Sequence, residues 1–145
     1  MEIQITIQRA MKEIAPGEIR RKLRKILNDS GLHNVELSIL LTDDKQIEKL
    51  NYRFLKRKGP TNVLAFPMKS QSKEEPESLM LGDIVISLDS AKRESENTGE
   101  NVIKIVDRLL VHGYLHLLGH DHEKSNEEAR KMEKETERLL AIMEG

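Results

Sequence analysis

The sequence predicts an α+β fold, a small mixed sheet of about four strands packed with helices. Ile3, Ile5 and Ile7 alternate with polar residues, and so do Val35, Leu37, Ile39 and Leu41. Alternation of this kind puts the apolar side chains of a strand on one face. Between these stretches and after them, apolar residues recur at three and four instead, which is the spacing of a helix that buries one stripe. Strand, helix, strand, helix, two strands and then only helices is the order of a mixed sheet with helices laid on it.

Element by element, the first strand covers about Met1 to Gln8, and Ile19, Leu23, Ile26 and Leu27 form the stripe of a helix ending near Gly31. After the second strand, Thr42 is placed to cap a helix begun by Asp43 and Asp44 that turns Ile47, Leu50 and Phe54 inward. Further strands are expected at about Asn62 to Phe66 and Gly82 to Leu88. Between them, Lys69 to Ser78 contains no Ala, Val, Ile, Leu, Met, Phe or Tyr. That stretch reads either as a mobile loop over a substrate groove or as an inert tether. From Asp89 onward the chain reads as helix to about Asn97, again from about Asn101, and again from about Ser125, where Glu127 and Lys131 stand at a stabilising spacing. The helix from Asn101 is apolar almost all round, which places it centrally against the sheet.

At 145 residues without an internal repeat the chain reads as a single domain, 1–145. Absence of cysteine excludes disulfides and thiolate ligands and suits the cytoplasm. No apolar run approaches the length of a membrane span and no signal-peptide pattern is present, so a membrane is not an expected partner. A formal net charge of −1 excludes a protein that coats nucleic acid indiscriminately, although Arg20, Arg21, Lys22, Arg24 and Lys25 crowd one early helix. Two tyrosines and two phenylalanines are few for a groove that binds by stacking bases.

Four of the five histidines fall between His112 and His122, in the run HGYLHLLGHDH. His112 and His116 are four apart, one turn above each other on a helix. Gly119 lets the chain leave the helix and return, which makes His122 the natural third ligand. The spacing is that of the zinc-binding HExxHxxGxxH motif. Three protein ligands leave a tetrahedral zinc one open position, where a water of near-neutral pKa is a hydrolytic nucleophile. Yet Gly113 stands where HExxH proteases place the glutamate that serves as general base, and Met132 lies in a polar helix rather than in a Met-turn. A peptidase mechanism therefore lacks its base.

HGYLHLLGHDH resembles the signature HGxLHLxGYDH of the YbeY family of bacterial rRNA-maturation endoribonucleases. Asn51-Tyr-Arg53, the stretch Gly59 to Pro67 and the run Leu81 to Ser87 are similar to that family's LNxxYR, PTDVLSFP and GDI motifs, in the same order. Asn62 replaces an aspartate of the pattern, Ala65 a serine and His120 a tyrosine. The resemblance implies a metal-dependent endoribonuclease specific for single strands, which matures ribosomal RNA, notably the 3′ end of the small-subunit rRNA. Its partners would be single-stranded or precursor rRNA, with proteins of the small ribosomal subunit as further candidates. It also implies one Zn2+ per chain held by His112, His116 and His122, with Arg53 at the RNA phosphate, so that Arg53 and His116 are the expected catalytic residues. A guanidinium beside a metal suits the charge that builds on a phosphoryl group during cleavage. Asp121 is expected to orient a ligand histidine, the base being left open among Asp121 itself, a water chain and the RNA's own 2′-hydroxyl; His120 is expected to flank the site and His33 to complement a helix end. Two alternatives stand beside this reading: a metalloprotease-like or other metal-dependent hydrolase, and a non-catalytic ribosome-assembly factor with structural zinc.

Overall fold

The computed structural model describes residues 1–68 and 79–145. The loop expected at Lys69 to Ser78 lies outside the described residues. In chain order the elements are β1 (Glu2–Ile7), α1 (Pro16–Asp29), β2 (Val35–Thr42), α2 (Asp44–Leu55), β3 (Val63–Pro67), β4 (Leu79–Ser87), α3 (Leu88–Thr98), α4 (Val102–Leu117) and α5 (Asn126–Glu144). The strands form one mixed sheet in the order β1-β2-β4-β3, with β3 antiparallel to β4 and the other pairs parallel. Parallel neighbours need a crossover, supplied by α1 between β1 and β2. β3 is left as an edge strand.

Period-two alternation divides the sheet's side chains between two cores. Leu37, Ile39 and Leu41 of β2 with Ile84 and Ile86 of β4 join the main core, which α1, α4 and α5 complete. Val85 and Leu64 point the other way and pack with Ile47 of α2. α4 buries Ile105, Val106, Leu109, Leu110, Val111, Tyr114 and Leu115. Each aliphatic side chain removed from water contributes about 1.5–3 kcal/mol before entropy is counted. Such burial fixes α4, and with it the histidines, against β3 and β4.

Several boundaries differ from the sequence reading, each for a local reason. Thr42 ends β2, and its hydroxyl donates to Gln8 Oε1 at 2.8 Å. The cap of α2 is Asp43, whose Oδ1 accepts from the Gln46 N–H at 2.8 Å; a carboxylate there also meets the positive end of the helix dipole. Phe54 is 56 % exposed and Asn51 takes the buried place. The Phe54 ring rests with its centroid 5.4 Å from that of Phe66 on β3, and Asn51 satisfies its amide by donating from Nδ2 to the Gly59 carbonyl at 3.0 Å. β4 ends one residue early because the Ser87 hydroxyl accepts from the Ser90 N–H and caps α3. Gly82 sits at a register shift with φ +140°, and a Cβ there would meet the Phe66 carbonyl oxygen at 2.2 Å, so only glycine lets β3 approach. No helix among the described residues is long and apolar enough to cross a membrane.

Candidate metal centre

α4 begins at the cap Asn101, whose side chain accepts from the Ile103 N–H, and reaches its last turns with His112 and His116 half-buried on one face. Their Nε2 atoms lie 3.1 Å apart. The helix then closes as sequence reasoning expects at Gly119, which takes φ +97°. The Gly119 N–H donates to the His116 carbonyl and the His120 N–H to the Leu115 carbonyl, both at 3.0 Å. Those two bonds form a Schellman turn, which satisfies the final carbonyls and folds the chain back over the helix end. Asp121 then accepts the Glu123 N–H on Oδ1 at 2.9 Å, a local turn that fixes the backbone around His122. The resulting ring centroids are 4.6, 5.4 and 5.6 Å apart for His112–His116, His112–His122 and His116–His122. One ring nitrogen from each of the three lies within 4.8 Å of the other two.

This donor set fits a metal ion. Burial pushes the His112 imidazole down to about 4, with repulsion from His116 and His122 adding to it, and burial also lowers His116. Both rings are therefore neutral at neutral pH, the form whose lone pair binds a metal. The same shift has a consequence for the metal-free protein. Between pH 6.5 and about 4 the unfolded chain takes up a proton on His112 that the folded chain refuses, so stability falls as pH drops through that window. Thermal melting of metal-free protein across it should show the slope, and His112→Gln should flatten it; an unchanged slope in the variant would place the titration elsewhere.

The position of a peptidase glutamate is closed by packing. Gly113 is buried against β4, and a Cβ there would lie 2.7 Å from Ile84 Cγ2. The histidines instead open onto a cleft of about 1030 Å³ that runs past the edge strand. Asn62, Val63, Leu64 and Ala65 of the β3 segment line it, so Asn62 and Ala65, the departures from the family pattern, both border it. Asn51, Leu55, Arg57 and Lys58 from the end of α2 and the turn after it also line it, as does the histidine-bearing loop from Gly119 to Lys124.

Arg53 is not in that lining. Asn51 and Leu55 share the helix face toward the cleft, and two residues further from Asn51 is about 200° around the helix. Arg53 is exposed on the outside with its guanidinium 5.3 Å from the Phe54 ring centroid. Counted from Asn51, the arginine position of LNxxYR falls on Leu55, a spacing that was readable in the sequence. Among the described residues, the lysines and arginines that the fold brings to the cleft are Arg57, Lys58 and Lys124. His120 lines the cleft outside the three-nitrogen cluster, and the Asp121 bond goes to backbone rather than to an imidazole. His33 is exposed beyond α1. The basic crowd of α1 is largely engaged: Lys22 bonds Asp107, Arg21 bonds Glu18, and Lys25 donates to the Gly145 carbonyl.

An α+β fold with three convergent imidazoles at the head of an open cleft, and no carboxylate beside the first, defines a metal-dependent hydrolase of non-peptidase type. A family model described as "Endoribonuclease YbeY" matches residues 4–144. A protein of that name from Aquifex aeolicus is 40% identical over 88% of this chain and 83% of its own length. One from Syntrophus aciditrophicus is 37% identical over 100% of this chain and 91% of its own. A solution structure of a Thermotoga maritima protein shares the fold, with a TM-score of 0.66 at 20% identity over 97% of this chain and 88% of that one. The chain belongs to the endoribonuclease YbeY family. It is accordingly a nuclease that hydrolyses phosphodiester bonds in RNA.

Proposed function

We propose that the protein is a zinc-dependent, single-strand-specific endoribonuclease that works in the cytoplasm as one domain and matures the 3′ end of small-subunit ribosomal RNA. The observation that supports this most is the cluster of three imidazole nitrogens within 4.8 Å of one another on the wall of the cleft. His112, His116 and His122 would hold the ion. Bound there, zinc supplies Lewis acidity at the phosphodiester and a nucleophile at neutral pH. The protein's own part is geometric: α4 fixes two rings, the Schellman turn returns the third, and burial keeps His112 and His116 unprotonated. His122 is exposed, so the ligand set is open on the cleft side, as catalytic sites are and structural ones are not. That openness favours an enzyme over an assembly factor with structural zinc, whose contacts would be to proteins of the small subunit.

The deciding experiment is incubation of the purified, metal-counted protein with labelled single-stranded RNA carrying a small-subunit 3′ precursor. Endonucleolytic products that disappear with chelator and return with zinc are expected. Zinc-loaded protein that binds the precursor without ever cutting it would transfer the assignment to the assembly factor.

A further inference from the structure

We propose that the turn from Lys56 to Gly59 is a phosphate-gripping arm, in which Arg57 holds the RNA backbone in the cleft and Asn51 positions the arm. The inference rests on the endoribonuclease reading and goes on to say which residues hold the substrate. α2 ends at Leu55, and Lys56 follows with φ 57° and ψ 28°. Lys56 is the non-glycine residue with positive φ among the described residues, in a conformation that L side chains seldom adopt outside turns. Its N–H donates to the Tyr52 carbonyl at 3.0 Å, and that of Arg57 to the Asn51 carbonyl at 3.4 Å. At the far end Asn51, which is 5 % exposed, donates from Nδ2 to the carbonyl of Gly59, itself at φ +86°. The turn is thus fastened at both ends by one buried residue. Its effect is to reverse the chain and bring Arg57 and Lys58 into the lining of the cleft that also holds the three histidines.

Charge points to the occupant. Arg9, Arg21, Arg93, Arg108 and Arg138 each hold a carboxylate, whereas Arg57 and Lys58 have no ion-pair partner among the described residues. No acid occurs between Asn51 and Thr61. Lys124 lines the same cleft together with Asp121 and Glu123, so that stretch of the lining carries both signs and the net attraction for a polyanion lies on the arm. A guanidinium meets a phosphate through two parallel N–H bonds, which sets orientation as well as affinity. Arg57 therefore does from the turn what Leu55, at the end of the helix, cannot.

The test is equilibrium binding of a short fluorescent single-stranded RNA to metal-loaded protein over a range of salt, with metal content and melting temperature measured on each variant. Arg57→Ala should weaken binding about tenfold, equal to about 1.4 kcal/mol, and reduce the slope of log K against log salt by roughly 0.7. Arg57→Lys should restore the slope and part of the affinity. Asn51→Ala should weaken binding with metal retained, and adding Arg57→Ala to it should cost less than Arg57→Ala alone, a coupling that simple loss of stability would not produce. Unchanged affinity and slope in Arg57→Ala, with wild-type protein binding normally, would overturn the arm and leave the ribonuclease reading standing; so would a loss confined to Arg53→Ala. Wild-type protein that neither binds nor cuts the RNA would overturn both.

Discussion

Alanine in place of His116 is expected to leave the protein folded, strip it of its metal, and lower RNA cleavage by about three orders of magnitude or more, the scale of the several kcal/mol a metal supplies to a charged transition state. His116 is only half-buried and sits in the last turn of α4, where alanine is a good helix former and little packing is lost. What disappears is one corner of a triangle whose nitrogens all lie within 4.8 Å. Two remaining imidazoles do not complete the three-ligand set of a catalytic site. Metal per chain by elemental analysis, cleavage rate on single-stranded precursor, and melting of the metal-free forms would read the three parts separately. A variant that keeps its metal and cuts at the wild-type rate would remove His116 from the site.

Gly113→Glu restores the letters of a peptidase motif, and the expected result is a badly destabilised protein with no peptidase activity. The first added atom would stand 2.7 Å from Ile84 Cγ2 and 3.1 Å from Cγ1, inside the contact between α4 and β4. Overpacking of this kind costs about 1–3 kcal/mol, and an unpaired carboxylate forced into an apolar contact adds several more. Gly113→Ala isolates the first cost, offset by roughly 1 kcal/mol of improved helix propensity. Trimming the opposing side chain with Ile84→Ala should therefore recover stability in the Gly113→Ala background beyond additivity. Urea denaturation of the four proteins gives the cycle. Wild-type stability in Gly113→Glu would mean that α4 and β4 can separate.

Those two positions show what kind of information the sequence carried. The three-histidine set was legible because it depends on short-range geometry: a one-turn spacing, then a glycine whose turn is closed by bonds to His116 and Leu115, three and five residues back. The glycine opposite Ile84 could be noticed as a missing base, but its cause could not, since Ile84 lies twenty-nine residues earlier and only strand register brings it there. Boundaries missed by a residue or two, at Thr42 and Leu88, came from caps that compete locally, where Asp43 and Ser87 are the better acceptors. Arg53 lies outside the cleft lining for a reason the sequence could not show: a basic run specifies charge without direction, whereas a helix that stops at Leu55 and a left-handed Lys56 decide which cations border the cleft.

By itself, then, the sequence determined the α+β class, the central apolar helix and the convergence of three histidines, because periodicity and turn chemistry act over a few residues. The tertiary structure alone decided which face of α2 meets the cleft, why no base can stand beside His112, and which cations line the route past β3. Those depend on side chains distant in the chain meeting across a packed sheet, and close packing admits one arrangement of them.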